Sequence, residues 1–235
     1  MAGMPYKQLG IGVLAALVLV GGYFLLVHKP SSDQTSSQTG TSTNVDLGNG
    51  VTAVNVPPGV TVSVATSTAG AAPVEPSLSR PINIPSTMPS DVGALYTKKI
   101  QDTRSQIRTD KVGIDQYNLW LALGALYQDI GDYQGAQQAF QYVSEISPKN
   151  VVSFNNLGIL YQYYLKDYPK AESSFMTALH NDPHYILTYS NLFDLYRLSY
   201  KTNTTAAADI VKLGLKNNPN DQTLLQLQSE LKSGQ

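Results

Sequence analysis

The chain has 235 residues, carries 16 basic against 17 acidic side chains, and contains no cysteine. The missing cysteines exclude disulfides, thiolate metal sites, a cysteine nucleophile and a lipoprotein anchor. The balanced charge supplies no basic stripe of the kind that tracks nucleic acid.

After a short N-terminus, 1–8, Leu9–Val27 forms an uncharged, mostly apolar run of 19 residues. A helix of that length crosses a bilayer core of about 30 Å. The rival reading is a secretory signal peptide, whose apolar stretch is shorter, about 7–15 residues, and ends at a small-residue cleavage site. Val27-His28-Lys29-Pro30 is unlike such a site, which favours an uncleaved membrane span over 9–27. Lys7 precedes the span, and after Lys29 no lysine or arginine appears until Arg80. The positive-inside tendency then predicts a single-pass protein with a cytoplasmic N-terminus and an extracytoplasmic body, in a periplasm or at a cell surface.

Residues 28–88 read as a linker, rich in Ser, Thr, Pro and Val and poor in charge and large apolar side chains. Such composition lacks what a core requires. Within it, Val51–Val56 and Val60–Val64 alternate around Pro57-Pro58-Gly59. Residues 51–64 therefore read either as a Val-rich linker or as a hairpin, marginal alone in water, that forms on a partner.

From residue 89 the periodicity becomes helical. Val92, Leu95, Tyr96, Ile100, Thr103 and Ile107 recur at helical spacing and predict a cap helix over 91–108, with Ser90 as its N-cap. Three blocks follow, 117–150, 151–185 and 186–221. The first carries Trp120, Leu123, Gly124 and Tyr127, then Ala136, Phe140 and Pro148. The second carries Phe154, Leu157, Gly158 and Tyr161, then Ala171, Phe175, Ala178 and Pro183. The third carries Tyr189, Leu192, Phe193 and Tyr196, then Ala207, Val211, Gly214 and Pro219. Leading aromatics are 34 and 35 residues apart, and offsets of 0, +3, +4 and +7 put each quartet on one helical face. Leu224, Leu225, Leu227 and Leu231 predict a final cap helix over 222–232, polar on its other side.

This period and these motifs resemble the tetratricopeptide repeat, a pair of antiparallel helices. The resemblance covers 117–221 and implies an all-α helical-hairpin solenoid, three repeats plus capping helices, over 89–235. It would stand behind the transmembrane helix and the low-complexity linker. About three repeats is the usual minimum for stability. The third departs most: Phe193 replaces the small glycine, and two residues are inserted around Lys201–Thr205, against one around Lys166–Asp167 in the second. It is expected to be the least stable.

Nothing in the sequence points to an enzyme or a cofactor. His180, Asp182 and His184 straddle Pro183 and read as a surface turn rather than a metal site. No G-x-S-x-G elbow or glycine-rich phosphate loop is present. Binding remains. In the family the first helices line a groove that receives a peptide or partner helix. The resemblance implies groove positions at Asn118, Leu121, Ala125 and Gln128; at Val152, Asn155, Asn156, Ile159 and Gln162; and at Leu187, Ser190, Asn191, Asp194 and Arg197. Where some members clamp a carboxylate with cations and amides, Leu121, Ala125 and Leu187 stand instead, and only Asn156 matches. Asn156 and Asn191 occupy equivalent places, similar to the asparagine ladder of the O-linked N-acetylglucosamine transferases. They would hold a peptide backbone, or else bond within the stack. The expected function is a membrane-tethered scaffold or chaperone-like adaptor with a protein or peptide partner and no nucleic acid. The alternative is a structural subunit of an envelope or extracellular assembly, a homo-oligomer through linker or repeats.

Overall fold

A computed structural model describes residues 45–46, 52–53, 72–109, 114–202 and 204–233. All belong to one of the two units into which the chain divides, Ser42–Gln235. The expected membrane span over 9–27 and the 51–64 hairpin with its Pro-Pro-Gly turn lie outside the described residues, apart from Thr52 and Ala53. Those two pair antiparallel with Val45–Asp46, in the register Val45↔Ala53 and Asp46↔Thr52. Among the described residues no helix is long and apolar enough to cross a membrane.

The rest is helical. In chain order the helices are α1 (Ser90–Thr109), α2 (Ile114–Asp129), α3 (Tyr133–Ile146), α4 (Val151–Ile159), α5 (Tyr168–Asn181), α6 (Ile186–Asp194), α7 (Ala206–Asn217) and α8 (Gln222–Ser233). Each packs against the next along the chain, and α6 also meets α8. Local chemistry sets the ends. Asp132, Asn150 and Asp167 cap α3, α4 and α5 by accepting from the amides of Gly135, Ser153 and Lys170, which satisfies one orphan donor at each helix start. Pro148, Pro183 and Pro219 directly follow the C-caps Ser147, Asp182 and Asn218, and a residue without an amide hydrogen keeps the helix from continuing.

α4 and α6 do not end as α helices. Each runs on into a π-helical turn, Leu160–Leu165 and Leu195–Ser199. Gly131, Lys166 and Lys201, spaced 35 and 35, then reverse the chain with positive φ of 81, 55 and 57°. Trp120 to Gly131 is 11 residues, whereas Phe154 to Lys166 and Tyr189 to Lys201 are each 12. The wider turn takes up the additional residue without displacing the reversal. In the third block the second inserted residue falls after Lys201, ahead of α7.

The core runs through the whole helical stack. Trp120, Phe140, Phe175, Tyr189, Leu192 and Phe193 are each at most 1 % exposed. Gly124 and Gly158 lie under rings: a Cβ on either would fall 2.4 Å from Phe140 or Phe175. In the third pair the volumes are exchanged. Phe193 stands at the glycine position, Val211 at the phenylalanine position, and both are 1 % exposed. A close-approach glycine reappears as Gly214, where a Cβ would meet Leu224 at 2.8 Å.

The last part of the charge-poor stretch is attached to this stack. Leu78, Ile82, Ile84 and Met88 pack on the core, and Ile84 occupies the space a side chain at Gly93 would need. Arg80 makes an ion pair with Asp132, the cap of α3, with a second contact from Nη2 to Oδ1 at 2.8 Å. Arg104, buried in α1, donates to the Arg80 carbonyl and to the Tyr127 hydroxyl. The segment is thereby bolted across α1 and the α2–α3 turn.

Candidate functional site

The open face of the first helices, α2, α4 and α6, is the place to look, because their opposite sides fill the core. Helical spacing sets Leu187, Asn191 and Asp194 on one face of α6, and the exposed Leu198 follows within the π turn. Leu187 is 61 % and Leu198 68 % exposed, the two most open leucines among the described residues. On α4 the corresponding side chains are Val152, Asn156 and Ile159, all half-buried, and the exposed Tyr163. On α2 they are the exposed Asn118 and the half-buried Ala125 and Gln128.

Three residues expected on this face are not there. Leu121, Asn155 and Gln162 are 7, 4 and 1 % exposed. Asn155 lies in the seam between α4 and α6, where its carboxamide oxygen accepts from Thr188 Oγ1 and Asn191 Nδ2, both at 2.9 Å. Asn191 is therefore tied into the stack, one of the two roles its position allowed. The Asn156 side chain makes no hydrogen bond among the described residues. Gln162 falls inside the π turn, whose wider winding rotates it away from the placement that uniform α-helical spacing gives. Its amide is buried with neither atom bonded.

The same rotation brings out two side chains that the sequence reading missed. Tyr163 and Leu198 are equivalent, nine residues after Phe154 and Tyr189, and each lies within its π turn. The signal was the one additional residue in each block. Once a helix must absorb an insertion, positions beyond it change face.

Electrostatics concentrate at the α6 end. Arg197 pairs with Glu230 of α8 at 3.3 Å, and its guanidinium lies over the Phe193 ring. Asp194 accepts no hydrogen bond among the described residues. Burial first, then the charge of Glu230, holds its carboxyl above the usual range, and Arg197 offsets this only in part. Burial likewise raises the Tyr163 phenol, with a further push from the Asp194 charge across the helix gap. Ser190 is half-buried beside them.

Other polar features have structural roles. His184 Nδ1 lies 2.8 Å from Asn218 Oδ1, while Asn181 and Asn218 each donate to the carbonyl of the preceding turn's proline, Pro148 and Pro183. These contacts join successive turns. A hollow of about 400 Å³ beside Arg80, Asn83 and Gly131 is widely open, and its Arg80 and Asp132 are already engaged with each other. Among the described residues no three histidine or carboxylate side chains converge as they would around a metal ion. No protein-family model matches this chain, and neither does any curated protein.

Proposed function

We propose that this chain is a membrane-tethered scaffold of tetratricopeptide type, binding a protein or peptide partner on the face of α2, α4 and α6. The observation that carries the reading is the pair Leu187 and Leu198. They stand in water on α6 and its π turn, whose other side carries Thr188, Tyr189, Leu192 and Phe193, each at most 1 % exposed. A contiguous apolar surface rimmed by polar groups marks an interaction site, and Val152, Ile159 and Tyr163 extend the apolar character of this face on α4 and its π turn. The 34- and 35-residue spacing of Trp120, Phe154 and Tyr189 supports the repeat assignment, and the run Leu9–Val27 supports the tether.

The test is site-specific photo-crosslinking of the full chain in its native membrane. Cross-linking groups at Tyr163 and Leu198 should each form an adduct with a polypeptide. One at the exposed Ser229 of α8 should form none. Equal labelling at all three positions, or none at any, would remove the reading. Adducts only between copies of this chain would favour the structural-subunit alternative.

A further inference from the structure

The α6 stripe has a chemical character that narrows its partner. Leu187 and Leu198 bracket Asp194, and the rest of the charge nearby is committed: Arg197 is paired with Glu230. The group Asp194, Glu230 and Arg197 thus carries one net negative charge. Its unmatched carboxylate is Asp194, which accepts no hydrogen bond among the described residues and is half-buried. A partly desolvated carboxylate without a donor gains most from a cation brought to it. Tyr163 adds an exposed ring within electrostatic reach of that carboxylate, a surface that suits the stem of a long basic side chain.

We propose that this stripe binds an extended peptide segment in which a lysine or arginine, seated at Asp194, is flanked by an apolar side chain covering Leu198. The spacing agrees. Leu198 lies about one turn beyond Asp194, inside the π turn. Alternate side chains of an extended strand lie about 6–7 Å apart on one side, so a cation and an apolar group two residues apart fall on the two positions. Leu187, two turns before Asp194 and about 10 Å along the helix, closes the far end of the stripe. A free metal ion would be a poor occupant, because the leucines on either side of Asp194 offer no ligand. An acidic segment would meet the net negative charge.

The inference rests on the partner-binding reading above, and the experiment separates the two. The probe is a capped fluorescent peptide with one lysine flanked by leucines. Two control peptides carry norleucine or glutamate in place of the lysine. Anisotropy is measured with the full-length chain in detergent micelles and with Asp194→Asn and Leu198→Ser, both at side chains that make no hydrogen bond among the described residues. The lysine peptide should bind about tenfold more tightly than the norleucine peptide, the effect of one partly buried charge pair. Asp194→Asn should abolish that preference, and Leu198→Ser should weaken both peptides alike. If Leu198→Ser weakens binding while the wild type shows no preference for lysine, the face binds peptides and the charge inference is wrong. A preference that survives Asp194→Asn also overturns it. If no peptide binds, or Leu198→Ser changes nothing, the partner-binding face fails with it.

Discussion

The hydroxyl of Tyr196 donates a 2.6 Å hydrogen bond to Glu172, a carboxylate only 2 % exposed, and Lys201 Nζ reaches both its oxygens at 2.8 and 3.0 Å. Burial, and then the Glu172 charge, drive the Tyr196 phenol far above its ordinary range, so it stays a donor. The same tyrosine position joins the other helices in gentler form. Tyr161 accepts from Gln137 and Gln141 of α3, and Tyr127 accepts from Arg104 of α1. Gln137 and Glu172 both directly follow the small alanine of their helix, so one geometric slot holds a neutral amide in one place and a buried charge in the next.

Lys201→Met should therefore cost about 3 kcal/mol, because Glu172 would be left buried with only a phenol for a partner. Glu172→Gln combined with Lys201→Met should recover most of that loss, since an amide needs no counter-charge. Urea melts followed through Trp120, the chain's single tryptophan, give the measurement. A loss from Lys201→Met below about 0.5 kcal/mol would place the pair among surface contacts of little energetic weight.

The volume exchange in the third pair makes a second prediction. Gly124→Ala and Gly158→Ala should each destabilise by about 1–3 kcal/mol, because the new Cβ would drive into Phe140 or Phe175. Phe193→Ala should lose about 3–5 kcal/mol as a large cavity opens. Adding Val211→Phe to it should restore a good part by refilling that space from α7. If the double variant is no better than Phe193→Ala alone, the two positions do not share one volume.

That exchange shows where sequence reading succeeds and where it stops. The aromatic, small and proline spacings made the helices, their ends and most of the core legible, because each position has one geometric reason for its residue. Phe193 was legible as an anomaly, but its compensation at Val211 and Gly214 needed the packed neighbours. On the candidate face, Leu187, Asn156 and Asp194 follow from uniform α-helical winding. Gln162, Tyr163 and Leu198 do not, because a π turn reads as an ordinary helix in any periodicity count. The packing of the stretch ahead of α1 was not legible for a related reason. Leu78, Ile82, Ile84 and Met88 are too sparse to announce a core, yet they need none of their own when α1 and α3 provide one.

Arg80 tests that attachment. Arg80→Ala removes the ion pair to Asp132 and the contacts to Gln134 and Gln138, at side-chain exposures of 24 and 18 %. The loss should be about 1–2 kcal/mol, between the values for exposed and buried pairs. Hydrogen exchange should quicken selectively over 77–88 while the amides of α5 and α7 keep their protection, as expected for local opening. Uniform acceleration throughout the helices would mean that the segment is part of the cooperative core rather than a strap laid over it.

Asp194 offers a prediction whose sign depends on pH. Burial raises its carboxyl above the usual range, so the folded chain holds this proton to higher pH than the unfolded chain does. Between those two values the native state binds more protons, and stability falls as pH rises. The contribution is thus present below the unfolded value and lost above the folded one. At neutral pH the ionised Asp194 works against folding. Asp194→Asn, which keeps the shape and drops the charge, should be more stable than the wild type at pH 7. The gap should close as pH falls toward about 3.5, where an unperturbed aspartate is itself protonated. Asp129 shifts in the same direction, from burial chiefly, and is present in both proteins, so it cancels in the comparison. The measurement is a series of urea melts on both proteins from neutral to acid pH. A variant less stable than wild type at pH 7, or a gap that does not change with pH, would show that Asp194 is already neutralised within the fold. A carboxylate that costs the fold stability, next to two leucines left in water, is what a face shaped for an absent cationic partner should carry.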